Sequence, residues 1–306
     1  MSNSLSAPRT GFVLALAASF AWSFTGPGID YLLTVYQVPR LTIAFWRDLF
    51  AVALLLPIAL WKFGVPPRRE LGRLAIAGML FIGAYHALWV FSIAFNGPAV
   101  AVVLVYTFPA WATLGGWLLW REQPTAGAIV GLALAFIGCF LVVEAYDLDQ
   151  LSLNWLGLIC GLGTGIAQAG YALFCQHALQ RSSMWPTLTW TMTFGALALL
   201  FTQRPDTIFA VGDTPGPWLL LALLAIGPTL GGYMLYTLSL RALRAGVAGT
   251  IVTLEAPWTA LWAALLLGRW LTWPQLLGML CVLGGVVLPQ LGSYVRRRTK
   301  TREAWQ

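Results

Sequence analysis

Charge is what this chain has least of. Only 18 residues of 306 are Lys or Arg, 11 are Asp or Glu, and two are histidine, His86 and His177. Soluble domains carry roughly a quarter of their residues as charge, so 9% leaves too little polar surface to cover a water-soluble fold. Cysteine is sparse too. Cys139, Cys160, Cys175 and Cys281 all lie in apolar stretches and form no CxxC pair, which excludes a disulfide framework and a zinc site. Two histidines make no metal set, and no clustered carboxylates or nucleophile with its base stand out, so the chain reads as no enzyme and needs no cofactor. It has no GxxxxGK[ST] loop, so direct drive by ATP is not expected. A cleavable leader is not expected either: Met1 to Thr10 holds one basic residue, Arg9, and the apolar run after it contains Trp22 and Gly26-Pro27-Gly28 where small residues would mark a cleavage site.

What the chain has in excess is apolar length. It is 59% hydrophobic, with mean hydropathy +0.76. A helix needs roughly 20 apolar residues to cross a bilayer. Runs near that length are Gly11 to Leu33, Leu41 to Trp61, Leu74 to Phe95, Ala99 to Trp120 and Ala126 to Val143, then Leu156 to Leu179, Met184 to Phe201, Pro217 to Leu240, Val247 to Gly268 and Trp273 to Leu291. They lack the alternation of barrel strands, and backbone groups in lipid must pair internally, so an all-α integral membrane protein of ten helices is expected. The formal charge of +7 points to no nucleic acid, because the basic residues lie between the apolar runs and at the C-terminus. With a cytoplasmic N-terminus, 14 of the 18 Lys and Arg fall on the inside: Arg9, Lys62, Arg68, Arg69, Arg73, Arg121, Arg181, Arg241, Arg244, Arg296, Arg297, Arg298, Lys300 and Arg302. The positive-inside rule then places both termini in the cytoplasm of a multi-pass inner-membrane protein. The acidic linker Glu144, Asp147 and Asp149 falls outside, and the basic tail from Tyr294 lies at the anionic inner surface.

The two halves repeat. A shift of 148 residues places Gly83 on Gly231, Tyr85 on Tyr233, Ala94 on Ala242, Pro109 on Pro257 and Arg121 on Arg269; one deletion later Gly131 and Gly138 fall on Gly278 and Gly285. Five spans per copy force the copies to be inverted, with domains at 1–149 and 150–306. Inverted repeats are the architecture of secondary transporters, whose halves rock about a central site.

Arg47, Phe108-Pro109 with Trp120-Arg121-Glu122-Gln123-Pro124 and Gly131 to Gly138, then Glu255-Ala256-Pro257 with Gly278 to Gly285, resemble the drug/metabolite transporter superfamily, specifically its ten-helix EamA-type members. The second copy has Gly268-Arg269-Trp270 where an acidic residue usually follows the glycine. The resemblance implies an inner-membrane carrier, often an exporter, for amino acids, other metabolites or lipophilic drugs; a monomer in the lipid bilayer is the form expected. Within the superfamily the chain looks like the aromatic amino acid exporters, with multidrug efflux and lipid or nucleotide-sugar translocation as alternatives.

Ionisable groups inside a membrane are costly and line cavities or pair. His86 shares a helix surface with Tyr85 and Trp89, for an interhelical hydrogen bond or for cavity lining. Glu255 heads a stripe with Trp258, Thr259 and Trp262, as an ion-pair member, a substrate-ammonium site or a proton acceptor. Arg47 and Asp48 are near enough to an interface to snorkel or pair. Trp22, Tyr106, Gln168, Tyr171 and Tyr233 complete a candidate substrate site suited to aromatic or apolar side chains. Pro109 and Pro257 each remove a helix hydrogen bond at equivalent places, and so are candidate hinges.

Overall fold

A computed structural model describes residues 6–146, 154–180, 182–267 and 270–303, and every regular element among them is helical. Asp147, Asp149, Arg181, Gly268 and Arg269 lie outside the described residues, as does the boundary at 149/150.

Seven helical rods are long and apolar enough to span a bilayer: Arg9–Thr34, Arg40–Phe63, Arg68–Asn96, Val100–Trp120, Trp155–Ala178, Met184–Thr202 and Pro215–Ser239. Ala126–Val142 and Trp273–Leu288 are shorter apolar helices and form the fifth and tenth spans. The ninth is split into Ala245–Val252 and Glu255–Leu267. Side chains such as Ile76, Leu118, Leu219 and Leu280 are exposed along these rods. Lipid tails, not water, suit such a surface.

The sequence puts Asn96-Gly97-Pro98 between the third and fourth apolar runs, and the helical elements of those two runs abut there, Ala84–Val105 being assigned as one element. The chain still reverses there, as the sixth span shows. A side chain at Gly157 would meet Asn96, at Gly161 Ser92 and Leu104, at Gly165 Thr107, and at Gly170 Phe81. Going up the sixth span, contacts on the third descend in number while those on the fourth ascend. The two limbs are therefore antiparallel.

Packing is mostly between halves, and it survives exchange of the copies. The third span packs on the sixth and the first on the eighth; the fourth packs on the sixth and the first on the ninth; the third packs on the seventh and the second on the eighth. Second with seventh, fourth with ninth and fifth with tenth are each their own image. Irregularities are duplicated as well. π-helical segments Met79–Gly83 and Ala225–Gly232 interrupt the third and eighth spans, ending two residues before Tyr85 and one before Tyr233. The fourth span breaks at Tyr106 and Thr107, the ninth at Thr253 and Leu254.

The repeated glycines are where the fifth and tenth spans cross. A Cβ at Gly138 would sit 2.6 Å from the Gly278 carbonyl oxygen, one at Gly278 2.7 Å from that of Gly138, and one at Gly285 2.5 Å from that of Gly131. Small residues at such crossings let backbones touch, which in lipid replaces the hydrophobic drive for association.

Candidate functional site

The break in the ninth span sets up the site. It puts Glu255 in the first turn of Glu255–Leu267, where unpaired N–H groups favour a negative charge. No ion pair reaches Glu255 among the described residues. Tyr85, Tyr106, Tyr233 and Cys139 all lie within electrostatic reach of it. Tyr85 and Tyr233, each other's equivalents in the repeat, also lie within reach of Arg47 and Asp48.

The second and third spans share a buried charged cluster. Arg47, Asp48 and His86 are 7%, 2% and 3% exposed, so Arg47 and Asp48 do not snorkel as their distance from the span end allows; they pair with the third span. Arg47 Nη2 lies 2.7 Å from His86 Nε2. His86 Nδ1 lies 2.8 Å from Asp48 Oδ2, and Arg47 Nε 3.8 Å from Asp48 Oδ1. A guanidinium can only donate, so Nε2 is the bare, accepting nitrogen and the proton of a neutral ring sits on Nδ1, facing Asp48. The alignment is imperfect: Arg47 Nε, His86 Nδ1 and both Asp48 oxygens lack a well-aligned hydrogen-bond partner among the described residues. Buried polar groups are normally satisfied, so this cluster retains capacity for another arrangement.

The aromatic wall is built by the first, sixth and eighth spans. Trp22 packs on Tyr233 and Tyr236 with centroids 5.3 and 5.2 Å away, and Tyr171 on Tyr233 at 5.4 Å. Gly232 makes room, since a Cβ there would collide with the Trp22 indole. Tyr171 hydroxyl and Thr237 Oγ1 are 3.0 Å apart. Gln168 Oε1, Tyr236 hydroxyl and Trp258 Nε1 are buried without a partner among the described residues. Trp89 is partly buried one turn beyond Tyr85.

Pro109 and Pro257 both fall in the first turn after their span's break. Pro109 also faces the ninth span, 3.2 Å from a Cβ built at Gly249. Farther along, Glu122 ties three segments. Its Oε1 accepts from Gln176 Nε2 at 3.2 Å, its Oε2 stands 3.6 Å from Arg244 Nε, and Gln176 Oε1 accepts from Ala245 N at 2.7 Å. A cleft of about 460 Å³ opens beside this tie, lined by Gln176, Gln180, Arg241 and Arg244 with leucines. Sequence reasoning missed both partnerships, because Arg47 with His86 and Glu122 with Arg244 are long-range pairs that no local spacing encodes.

The EamA-like transporter family model matches this chain twice, over residues 9–144 and 155–289. The chain is 28% identical to an uncharacterized inner membrane transporter, YicL, of Salmonella typhimurium, over 95% of this chain and 98% of the relative. It is 29% identical to an uncharacterized transporter, sll1319, of Synechocystis, over 67% and 62%. A riboflavin transporter of Vibrio cholerae is 24% identical over 70% of each chain. A solved crystal structure superposes with TM-score 0.79 at 14% identity, covering 95% of this chain and 99% of that one, and so shares the fold. Two matches of one model, end to end over a ten-helix membrane fold built of inverted copies, place the chain in the EamA-like transporter family.

Proposed function

We propose that this transporter is an alternating-access secondary carrier exporting amino acids with aromatic or large apolar side chains. The observation that carries this reading is Glu255, a carboxylate without an ion pair among the described residues, at a helix break beside Tyr85, Tyr106 and Tyr233. It binds the substrate ammonium, while Trp22, Tyr171 and Tyr233 receive the apolar side chain. His86, Trp89 and Gln168 complete the lining. Pro109 and Pro257 act as hinges, because the helices are already broken one turn before them. The distribution of Lys and Arg supports cytoplasmic termini and puts the Glu122 tie on the inner face.

Nucleotide sugars fit less well, since phosphates call for several cations and the buried arginine, Arg47, is already engaged by His86 and Asp48. A flat heteroaromatic substrate is the second reading, favoured by the name of the Vibrio relative and by the same rings. Uptake into proteoliposomes of pure protein decides between them. Saturable exchange of labelled phenylalanine, tyrosine or leucine supports the amino acid reading; riboflavin exchange without amino acid exchange supports the second. No movement of either by folded protein refutes both.

A further inference from the structure

We propose that the cleft beside the Glu122 tie is the entry site for the carboxylate of the cargo amino acid, received there by Arg241 and Arg244, and that Arg244 gives up Glu122 to bind it. This rests on the amino acid reading above, in which Glu255 takes the ammonium and no cation is assigned to the carboxylate; the buried Arg47 is engaged by His86 and Asp48. The cleft, of about 460 Å³, lies between the end of the sixth span, with Gln176, Leu179 and Gln180, and the turn from the eighth span to the ninth, with Leu240, Arg241 and Arg244. No carboxylate lines it. Two guanidinium groups and two carboxamides beside leucine suit an anion with an apolar body.

Both guanidinium groups are available to a ligand. Arg241 is exposed and has no side-chain partner among the described residues. Arg244 Nε stands 3.6 Å from Glu122 Oε2, too far for a hydrogen bond, and 57% of the Arg244 side chain is exposed. Exposed pairs of this kind contribute little, whereas a carboxylate gripped by a guanidinium fork gains two charge-assisted bonds. Glu122 is not left bare when Arg244 turns away, because Gln176 Nε2 still donates to its Oε1 at 3.2 Å. Gln176 itself stays anchored, its Oε1 accepting from Ala245 N at 2.7 Å. The C-terminal end of the sixth span brings about half a negative charge to the cleft, which two guanidinium groups outweigh. The repeat shows that the fold does not need these charges. The shift of 148 residues places Ile93 on Arg241, Asn96 on Arg244 and Glu122 on Trp270. Asn96 is buried and accepts from Asn154 N at 2.6 Å, so the equivalent turn is closed by a neutral contact. The cations belong to one end of the molecule, the end at which an exported solute arrives.

The test is calorimetric binding of hydrocinnamate, which keeps the ring and carboxylate of phenylalanine and lacks its ammonium, to the full chain in neutral detergent. Wild type should bind it saturably. Arg241→Gln and Arg244→Gln, both at exposed positions, should each lose about tenfold or more in affinity. Glu122→Gln should gain up to about fivefold, because the competitor for Arg244 is neutralised; a merely structural tie would produce no tightening. Equal affinity in wild type and all three variants, or no binding by monodisperse wild type, overturns the inference. So does binding in phosphatidylcholine nanodiscs that disappears when phosphatidylglycerol is included, since a lipid phosphate then holds the arginines. Phenethylamine, which keeps the ammonium and lacks the carboxylate, tests Glu255 separately. Its failure to bind, with hydrocinnamate still tightened by Glu122→Gln, would remove the ammonium site and leave the entry site standing.

Discussion

Adjacent glycines on the tenth span should respond to alanine in opposite directions. A methyl at Gly285 would lie 2.5 Å from the Gly131 carbonyl oxygen and 2.7 Å from Ala135 N, both backbone atoms. Neither can rotate away as a side-chain end would, so the two helices must separate by about 0.5–1 Å for the methyl to reach ordinary contact, at a cost of about 1–3 kcal/mol for overpacking. At Gly284 an added methyl meets nothing within 4 Å. There Ala removes the helix penalty of glycine, up to about 1 kcal/mol. The assay is thermal unfolding in detergent followed by size-exclusion chromatography. At about 2–4 °C for each kcal/mol, Gly285→Ala should melt several degrees below wild type and Gly284→Ala at or above it. Equal midpoints for the two variants would refute the claim that backbone contact at the fifth–tenth crossing determines the effect. Gly138→Ala, with 2.6 Å contacts to Gly278 O and Val282 N, should match Gly285→Ala.

Other expectations follow from the site. Gly232→Ala should displace the Trp22 indole and weaken phenylalanine binding more than it lowers the melting point; a loss of stability alone would make this contact structural. Tyr171→Phe removes the hydroxyl paired with Thr237 and should cost about 0.6–1 kcal/mol, seen as a small thermal shift. Glu255→Gln should abolish tight amino acid binding while the protein stays monodisperse, and unchanged affinity would remove it from the ammonium role. Glu122→Ala releases Gln176 and Arg244 together and should speed thiol labelling of a cysteine placed at Gln180, with little stability change because Arg244 is largely exposed.

Orientation of the five-helix copies was readable because lipid imposes simple rules. Each apolar run must be a helix, five runs per copy must invert the second copy, and Gly131, Gly138, Gly278 and Gly285 mark close approach wherever they meet. Which helix they meet was not readable: that fifth and tenth spans cross glycine on glycine is decided by the tertiary packing. The same holds within the site. His86 and Glu255 stood out in the sequence as ionisable groups in apolar runs, and Tyr85 and Tyr233 as matched positions of a repeat. That Arg47 occupies His86 Nε2, and that Trp22 packs on Tyr233, depends on helices 39 and more residues apart being brought together. Local pattern is set by the solvent, here a hydrocarbon that selects apolar length and small residues; a pairing between charges is set by where whole helices pack, and only the tertiary structure decides that.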